Sequence, residues 1–155
     1  MPELRVFDFE RDLAGVLPCI PMAVRYKLDL VAVKLSLRQW RRLTRIDRCE
    51  LLYRSCDSRS TISAYRDYLC DLIRTRAQEE PVASPPEDRD EWRRFDAVPD
   101  RICRYAESRG LPIPSLEAWR ALEMLQRFAL WKLTRAGHDN DNFEPAMREF
   151  GLVAS

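Results

Sequence analysis

One stretch of this chain occurs twice. Ser36, Leu37, Trp40, Arg41, Leu43, Ile46, Arg48 and Leu51 align without gaps on Ser115, Leu116, Trp119, Arg120, Leu122, Leu125, Arg127 and Leu130, at a constant offset of 79 residues. The apolar members of each copy recur at every third position. Three residues turn a helix about 60° short of a full circle, so such a row drifts off any one face of a straight helix within a few steps. Each copy must therefore contain a break, after Leu43 in the first and after Leu122 in the second. Thr44 supplies a cap for the helix that restarts. Glu123 stands at the matching place and is a poor N-cap, so the second copy is expected to bend rather than break.

The rest of the chain reads as helix around these two wedges. Phe7, Phe9, Leu13 and Leu17 are spaced for one face of an amphipathic start. Pro21 is placed for a first helical turn and predicts a helix over 21–31. A strand competes there, because Tyr26, Leu28 and Leu30 alternate with Arg25, Lys27 and Asp29. Ser36 caps the short helix of the first copy, with Gln39 placed for a capping box. After Thr44, the apolar residues Ile46, Cys49 and Leu52 are expected to face inward, and Asp47 sits well near the positive end of the helix. A long helix starts at Asp57, Ser58 or Ser60 and runs to about residue 77, with Ile62, Tyr65, Leu69, Leu72 and Ile73 on its inner face.

The segment 78–91 is rich in proline and charge, lacks periodicity and is expected to be a mobile surface loop dividing the chain into halves. Beyond it, residues 99–109 form a helix with Ile102, Tyr105 and Ala106 inward and Gly110 as its stop. Ser115 opens a helix through Trp119, residues 123–135 continue as another ended by Gly137, and Asn142 caps a last one ended by Gly151. The expected fold is all-α, a compact multi-helix bundle of about six to eight helices forming one domain over residues 1–155. The internal pseudo-repeat, 36–51 and 115–130, would pack its Trp and Leu residues against the opposite half.

Charge narrows the function classes. With 26 basic and 25 acidic residues the net charge is +1, so no long-range field draws the chain to nucleic acid or an anionic membrane. A DNA-reading helix-turn-helix presenting Arg45 and Arg48, or Gln126 and Arg127, is disfavoured for that reason and because tryptophans belong in a core. Only Lys27, Lys34 and Lys132 are lysines, an arginine bias that reads as composition. No apolar run approaches a bilayer span, and the charged N-terminus has no signal-peptide pattern, so the expected location is cytoplasmic. The five cysteines lack Cys-x-x-Cys spacing and read as reduced, mostly buried thiols.

No assembled catalytic site is visible. His138 is the single histidine, which excludes a two-histidine metal site within one chain. The polar run from Gly137 to Phe143 alternates acids and amides, but lacks the glycine and the terminal glutamate of a calcium loop, and reads as a turn. No glycine-rich pattern supports a Cys-His nucleophile or a phosphate cradle. Cys19, just before Pro21, lies where a helix N-terminus would stabilise a thiolate, although a buried structural thiol is favoured.

Three separated motifs carry a resemblance: Cys19, Ile20, Pro21, Met22, Val24, Arg25, Tyr26, Lys27, Leu28 and Asp29; then Val33 to Leu37 with Trp40; then Leu125 to Leu130, Lys132 and Leu133 followed by Gly137 to Asn140, Asn142 and Phe143. Together they resemble the bacterial nitrate reductase-associated protein family, from about Phe7 to Leu152. Two departures concern local geometry: Ala32 stands where a helix-ending glycine is expected, and Glu123 where a cap residue is. The resemblance implies association with assimilatory nitrate reductase, an enzyme carrying a molybdopterin guanine dinucleotide and an iron-sulfur cluster, and no chemistry of its own.

The expected function is that of a non-catalytic accessory protein supporting maturation or molybdenum-cofactor loading of that enzyme. The alternatives are a stably bound regulatory subunit, or an unrecognised enzyme of a small molecule. The chain itself is expected to hold no cofactor and no metal, and to bind neither nucleic acid nor membrane. Candidate partner-binding residues flank the two copies: Cys19, Arg25, Lys27, Asp29 and Lys34 before the first, His138, Asn140 and Asn142 after the second.

Overall fold

A computed structural model describes residues 6–10, 19–85, 90–135 and 141–154. They group into two compact units, one built from Val6 and the described residues between 19 and 85, the other from Phe7–Glu10 together with those from 90 onward. The structure is predominantly helical, with nine α-helices and one two-stranded sheet among the described residues.

In the first unit, α1 (Met22–Val31) begins after Pro21, whose φ of −63° suits the entry. Helix therefore wins over strand at this segment; the alternation of charges is accommodated by a helix whose polar residues are half-buried. α1 ends at Ala32, which adopts the left-handed conformation (φ 57°) usually given to glycine. The chain then pairs β1 (Val33–Lys34) antiparallel with β2 (Val82–Ala83), Val33 opposite Ala83, and Ser84 donates its N–H to the Ala32 carbonyl at 2.9 Å. β2 lies within the stretch expected to be a structureless loop. The two backbone groups of a short strand need a partner rather than a hydrophobic pattern, which is why periodicity missed it.

α2 (Leu37–Arg42) is capped by Ser36 in a capping box with Gln39, and α3 (Arg45–Tyr53) by Thr44 in a capping box with Asp47. α4 (Arg59–Leu72) starts from Ser58 and continues as a π-helical turn, Ile73–Ala77, that ends in a left-handed Gln78. α1 and α3 pack on α4, and α2 on the π turn. The centre of this unit is Val24, Trp40, Leu51, Tyr65, Leu69 and Ile73. Ile46, expected inside, is 75% exposed. Once the helix restarts after Leu43, its inward positions are Asp47 and Leu51, four apart, and Ile46 lies about 100° round from Asp47.

The second unit is organised on α8 (Met124–Leu133), against which α5 (Asp90–Arg93), α6 (Asp100–Ser108) and α9 (Phe143–Glu149) pack. α8 buries six of its ten residues, so it is apolar nearly all round, as an interior helix must be. α7 (Leu116–Ala121) is capped by Ser115, and Leu122 is extended (φ −72°, ψ 149°) before Glu123 starts α8. The second copy is thus broken, not bent. Gln126 compensates for the weak cap, its Oε1 accepting the Glu123 N–H at 2.9 Å.

Two helices of this unit end in glycines with positive φ, Gly110 (70°) after α6 and Gly151 (76°) after α9. In each case the next residue's N–H returns to the helix, Leu111 to the Ala106 carbonyl and Leu152 to that of Met147, both at 2.9 Å. Asn142 stands at the start of α9 but gives no side-chain cap bond, because its backbone is already helical (φ −89°, ψ −3°) rather than extended. Phe7 and Phe9 of the amphipathic start form a ring cluster with Phe150, and the Phe9 N–H donates to Glu149 Oε1 at 3.0 Å. Leu13, Leu17 and Gly137 lie outside the described residues.

Candidate partner-binding surface

The polar residues of α1 are largely consumed by the fold. Arg25 donates through Nε to the Ile20 carbonyl at 2.9 Å. Lys27 reaches from α1 to the end of α3, donating to the Leu52 carbonyl at 2.6 Å, while the Tyr65 hydroxyl donates to the adjacent Leu51 carbonyl at 2.7 Å. The last four carbonyls of a helix lack internal partners, and these two side chains satisfy a pair of them from neighbouring elements. Burial pulls the Lys27 ammonium below its ordinary pKa despite the nearby Cys56. Asp29 is half-buried on the same helix. Of the five candidates before the first copy, Cys19 and Lys34 are the ones that lie exposed.

Asn142 is half-buried at the head of α9, and His138 and Asn140 lie outside the described residues. The cysteines are free, but the expectation that most are buried is wrong: Cys19 is exposed and the other four are half-buried. A small thiol near the end of an amphipathic face needs no full enclosure. Burial nevertheless pushes the Cys56 thiol up to about 11, against the pull of Lys27 and with a further push from Asp57. Burial and Asp100 raise Cys103 likewise. Both stay protonated at neutral pH and are poor nucleophiles.

Sequence reading missed an open groove of about 430 Å³ in the second unit, lined by α6 residues Asp100, Arg101, Arg104, Tyr105 and Ser108 with Glu91 and Thr134. Its charged groups are matched. Arg104 pairs with Asp100 at 2.8 Å, the Arg101 guanidinium lies 5.3 Å from the Trp131 ring centre, and Trp131 donates to Glu91 Oε2 at 2.8 Å. Tyr105, expected inward, lines this groove instead, and the meeting of α6 with Glu91 and Thr134 was not legible, since neither is a neighbour in sequence. Also missed was the ion pair in the first unit between exposed Arg76 and buried Asp47, Nε to Oδ2 at 2.9 Å. Burial alone would raise the Asp47 pKa, yet the hydrogen bonds from Arg76 and Thr44 hold it below the ordinary carboxylate value. Among the described residues, no group of three or more His, Cys, Asp or Glu side chains could hold a metal ion.

Every element described above falls within residues 6–150, and over that same span the chain matches the model of the conserved nitrate reductase-associated protein family. The chain belongs to this family. The three motifs that carry the resemblance fall as follows: the first leads into α1 and forms most of it, the second forms β1 and opens α2, and the third begins in α8 and reaches the start of α9, with Gly137 to Asn140 outside the described residues. The family's description connects the chain with nitrate reductase by association. No curated protein and no solved structure matches the chain. Among the described residues, no helix is long and apolar enough to cross a membrane.

Proposed function

We propose that this protein is a non-catalytic, cytoplasmic accessory factor of assimilatory nitrate reductase that supports maturation of the enzyme, specifically loading of its molybdenum cofactor, by protein–protein binding. The family match over residues 6–150 carries this reading. It is supported by the engaged state of the polar groups: Lys27, perturbed by burial, caps a helix, and in the groove of the second unit Arg104 is paired with Asp100 while Arg101 and Glu91 both meet Trp131. Cys19 and Lys34, both exposed, and His138, Asn140 and Asn142 remain the candidate contacts flanking the two copies.

The test is capture of the reductase by tagged protein from cells grown on nitrate, comparing enzyme made with and without molybdenum cofactor. A maturation factor prefers the cofactor-free form and leaves the loaded one. Equal, stoichiometric retention of both forms would instead identify a permanent regulatory subunit. Reductase activity unchanged by deletion of the gene would sink both readings.

A further inference from the structure

Four arginines fall within eight residues of the first copy: Arg38, Arg41, Arg42 and Arg45. All are exposed, and none makes a hydrogen bond or ion pair among the described residues. This is unusual for the molecule. Its other exposed arginines commonly meet a carboxylate, as Arg54 does Glu50, Arg104 does Asp100 and Arg148 does Glu144. Between residues 36 and 49 the sole acidic residue is Asp47, which is buried and already held by Arg76 and Thr44. Arg38, Arg41 and Arg42 share one face of α2 at spacings of three and four, so they repel each other without compensation.

The second copy shows that the backbone does not need these charges. It repeats the same helix, extended break and helix, yet at the matching positions it carries Glu117, Arg120, Ala121 and Met124. The one arginine kept, Arg120, is occupied, donating to the Phe95 carbonyl at 2.6 Å. Folding thus accounts for the buried residues that the copies share, Trp40, Leu43 and Leu51 with Trp119, Leu122 and Leu130, and leaves the arginines of the first copy unexplained. Beside them stand Ile46, 75% exposed, and Leu37 at the start of α2, also exposed. A guanidinium cluster around an apolar anchor is complementary to carboxylates around an apolar side chain.

We propose that α2 and the start of α3 form a docking face for an acidic segment of a partner protein, an Asp/Glu-rich stretch bearing an apolar residue that covers Ile46. The proposal rests on the reading that this chain acts by protein–protein binding, and supplies the surface. A phosphate backbone is a poorer occupant, because it offers nothing to Ile46 and because the next arginine, Arg48, is folded back onto the Trp40 carbonyl at 3.2 Å.

The test uses the full chain and a variant with Arg38→Gln, Arg41→Gln, Arg42→Gln and Arg45→Gln, whose melting temperature is measured first and is expected to be unchanged or slightly raised, since the four side chains are exposed, make no hydrogen bond or ion pair among the described residues, and lose their mutual repulsion. Two probes are applied: the reductase in a pull-down, and a labelled peptide of Glu-Glu-Leu repeats read by fluorescence polarisation beside a DNA duplex. Wild type is expected to bind both protein probes, about tenfold more weakly at high salt, and the variant to lose about tenfold or more. Ile46→Asp should lose affinity for both in the same sense. Reductase captured equally by variant and wild type overturns the docking face and leaves the accessory function standing. If wild type captures no reductase, the accessory reading fails and the peptide alone decides: binding lost in the variant supports an acidic-segment face, and no binding overturns it. Tighter binding of DNA than of the peptide overturns it too.

Discussion

At residues 48 and 127 the two copies place the same side chain in different surroundings. Arg48 is half-buried, its Nε on the Trp40 carbonyl and its guanidinium 5.4 Å from the Trp40 ring centre. Arg127 is 4% exposed, donates twice to the Leu122 carbonyl at 2.9 and 3.2 Å, covers the Phe95 ring at 4.2 Å and leaves Nη1 buried without a hydrogen bond. The tryptophans, by contrast, are equivalent: Trp40 and Trp119 are both fully buried. Local backbone is thus set by caps and apolar spacing that the copies share, whereas the load on each polar side chain is set by the unit around it. α3 shows one face outward and carries Ile46 and Tyr53 exposed, while α8 is enclosed and carries its arginine inward.

That contrast can be broken from its strongest point down. Trp40→Ala and Trp119→Ala should each cost about 3–5 kcal/mol in denaturant unfolding, the usual range for emptying a buried aromatic site. A copy that tolerates the change is not held by its tryptophan. Arg127→Ala should cost about 2–3 kcal/mol, because it opens a buried space and orphans the Leu122 carbonyl at the break, and Arg48→Ala only about 1 kcal/mol. Equal losses would mean that the enclosure of α8 does not matter to its arginine.

Asp47→Asn should cost about 2 kcal/mol at neutral pH, the worth of a hydrogen bond to a charged group. The sign of its pH dependence follows from the lowered pKa of Asp47 in the folded protein. The stability it contributes is complete above the ordinary carboxylate value and is lost as the pH falls through the lower, folded value. Unfolding curves of wild type and variant should therefore converge in acid; a constant gap at all pH values would show that Asp47 acts through its shape alone. In the second copy, where Gln126 takes this place, no such titration exists.

The smallest effect concerns the entrances. The helix before the first copy ends on left-handed Ala32, that before the second on left-handed Gly110. Ala32→Gly should stabilise by up to about 1 kcal/mol by relieving the Cβ of a left-handed residue, and Gly110→Ala should destabilise by a similar amount, both read as melting-temperature shifts. The Cβ added at Gly110 meets nothing within 4 Å, so its cost is backbone strain alone.

Much of the fold was legible because its signals are local. Ser36, Thr44, Ser58 and Ser115 cap helices where their spacing to the following residues says they should, and Gly110 and Gly151 close them. The failures share a physical cause. Asn142 fails to cap because its backbone is already helical, Ile46 is exposed because the break resets the helix face, and β2 exists only because β1 passes beside it. The candidate surface was less legible still: Lys27 looked free for a partner and proved to cap α3 from another helix.

Residue order alone determined most helix starts and stops, the break after Leu43 and the family, since all depend on chemistry between residues a few positions apart or on identities along the whole chain; the break after Leu122, expected as a bend, was decided by the structure. Only the tertiary structure decided which charges are spent inside the protein and which are left for a partner. A guanidinium or ammonium has the same sequence signature whether it meets a carbonyl of a neighbouring helix or water. That is why Lys27 and Arg127 turned inward unannounced, and why the four arginines of the first copy became conspicuous once they were seen to make no hydrogen bond or ion pair among the described residues.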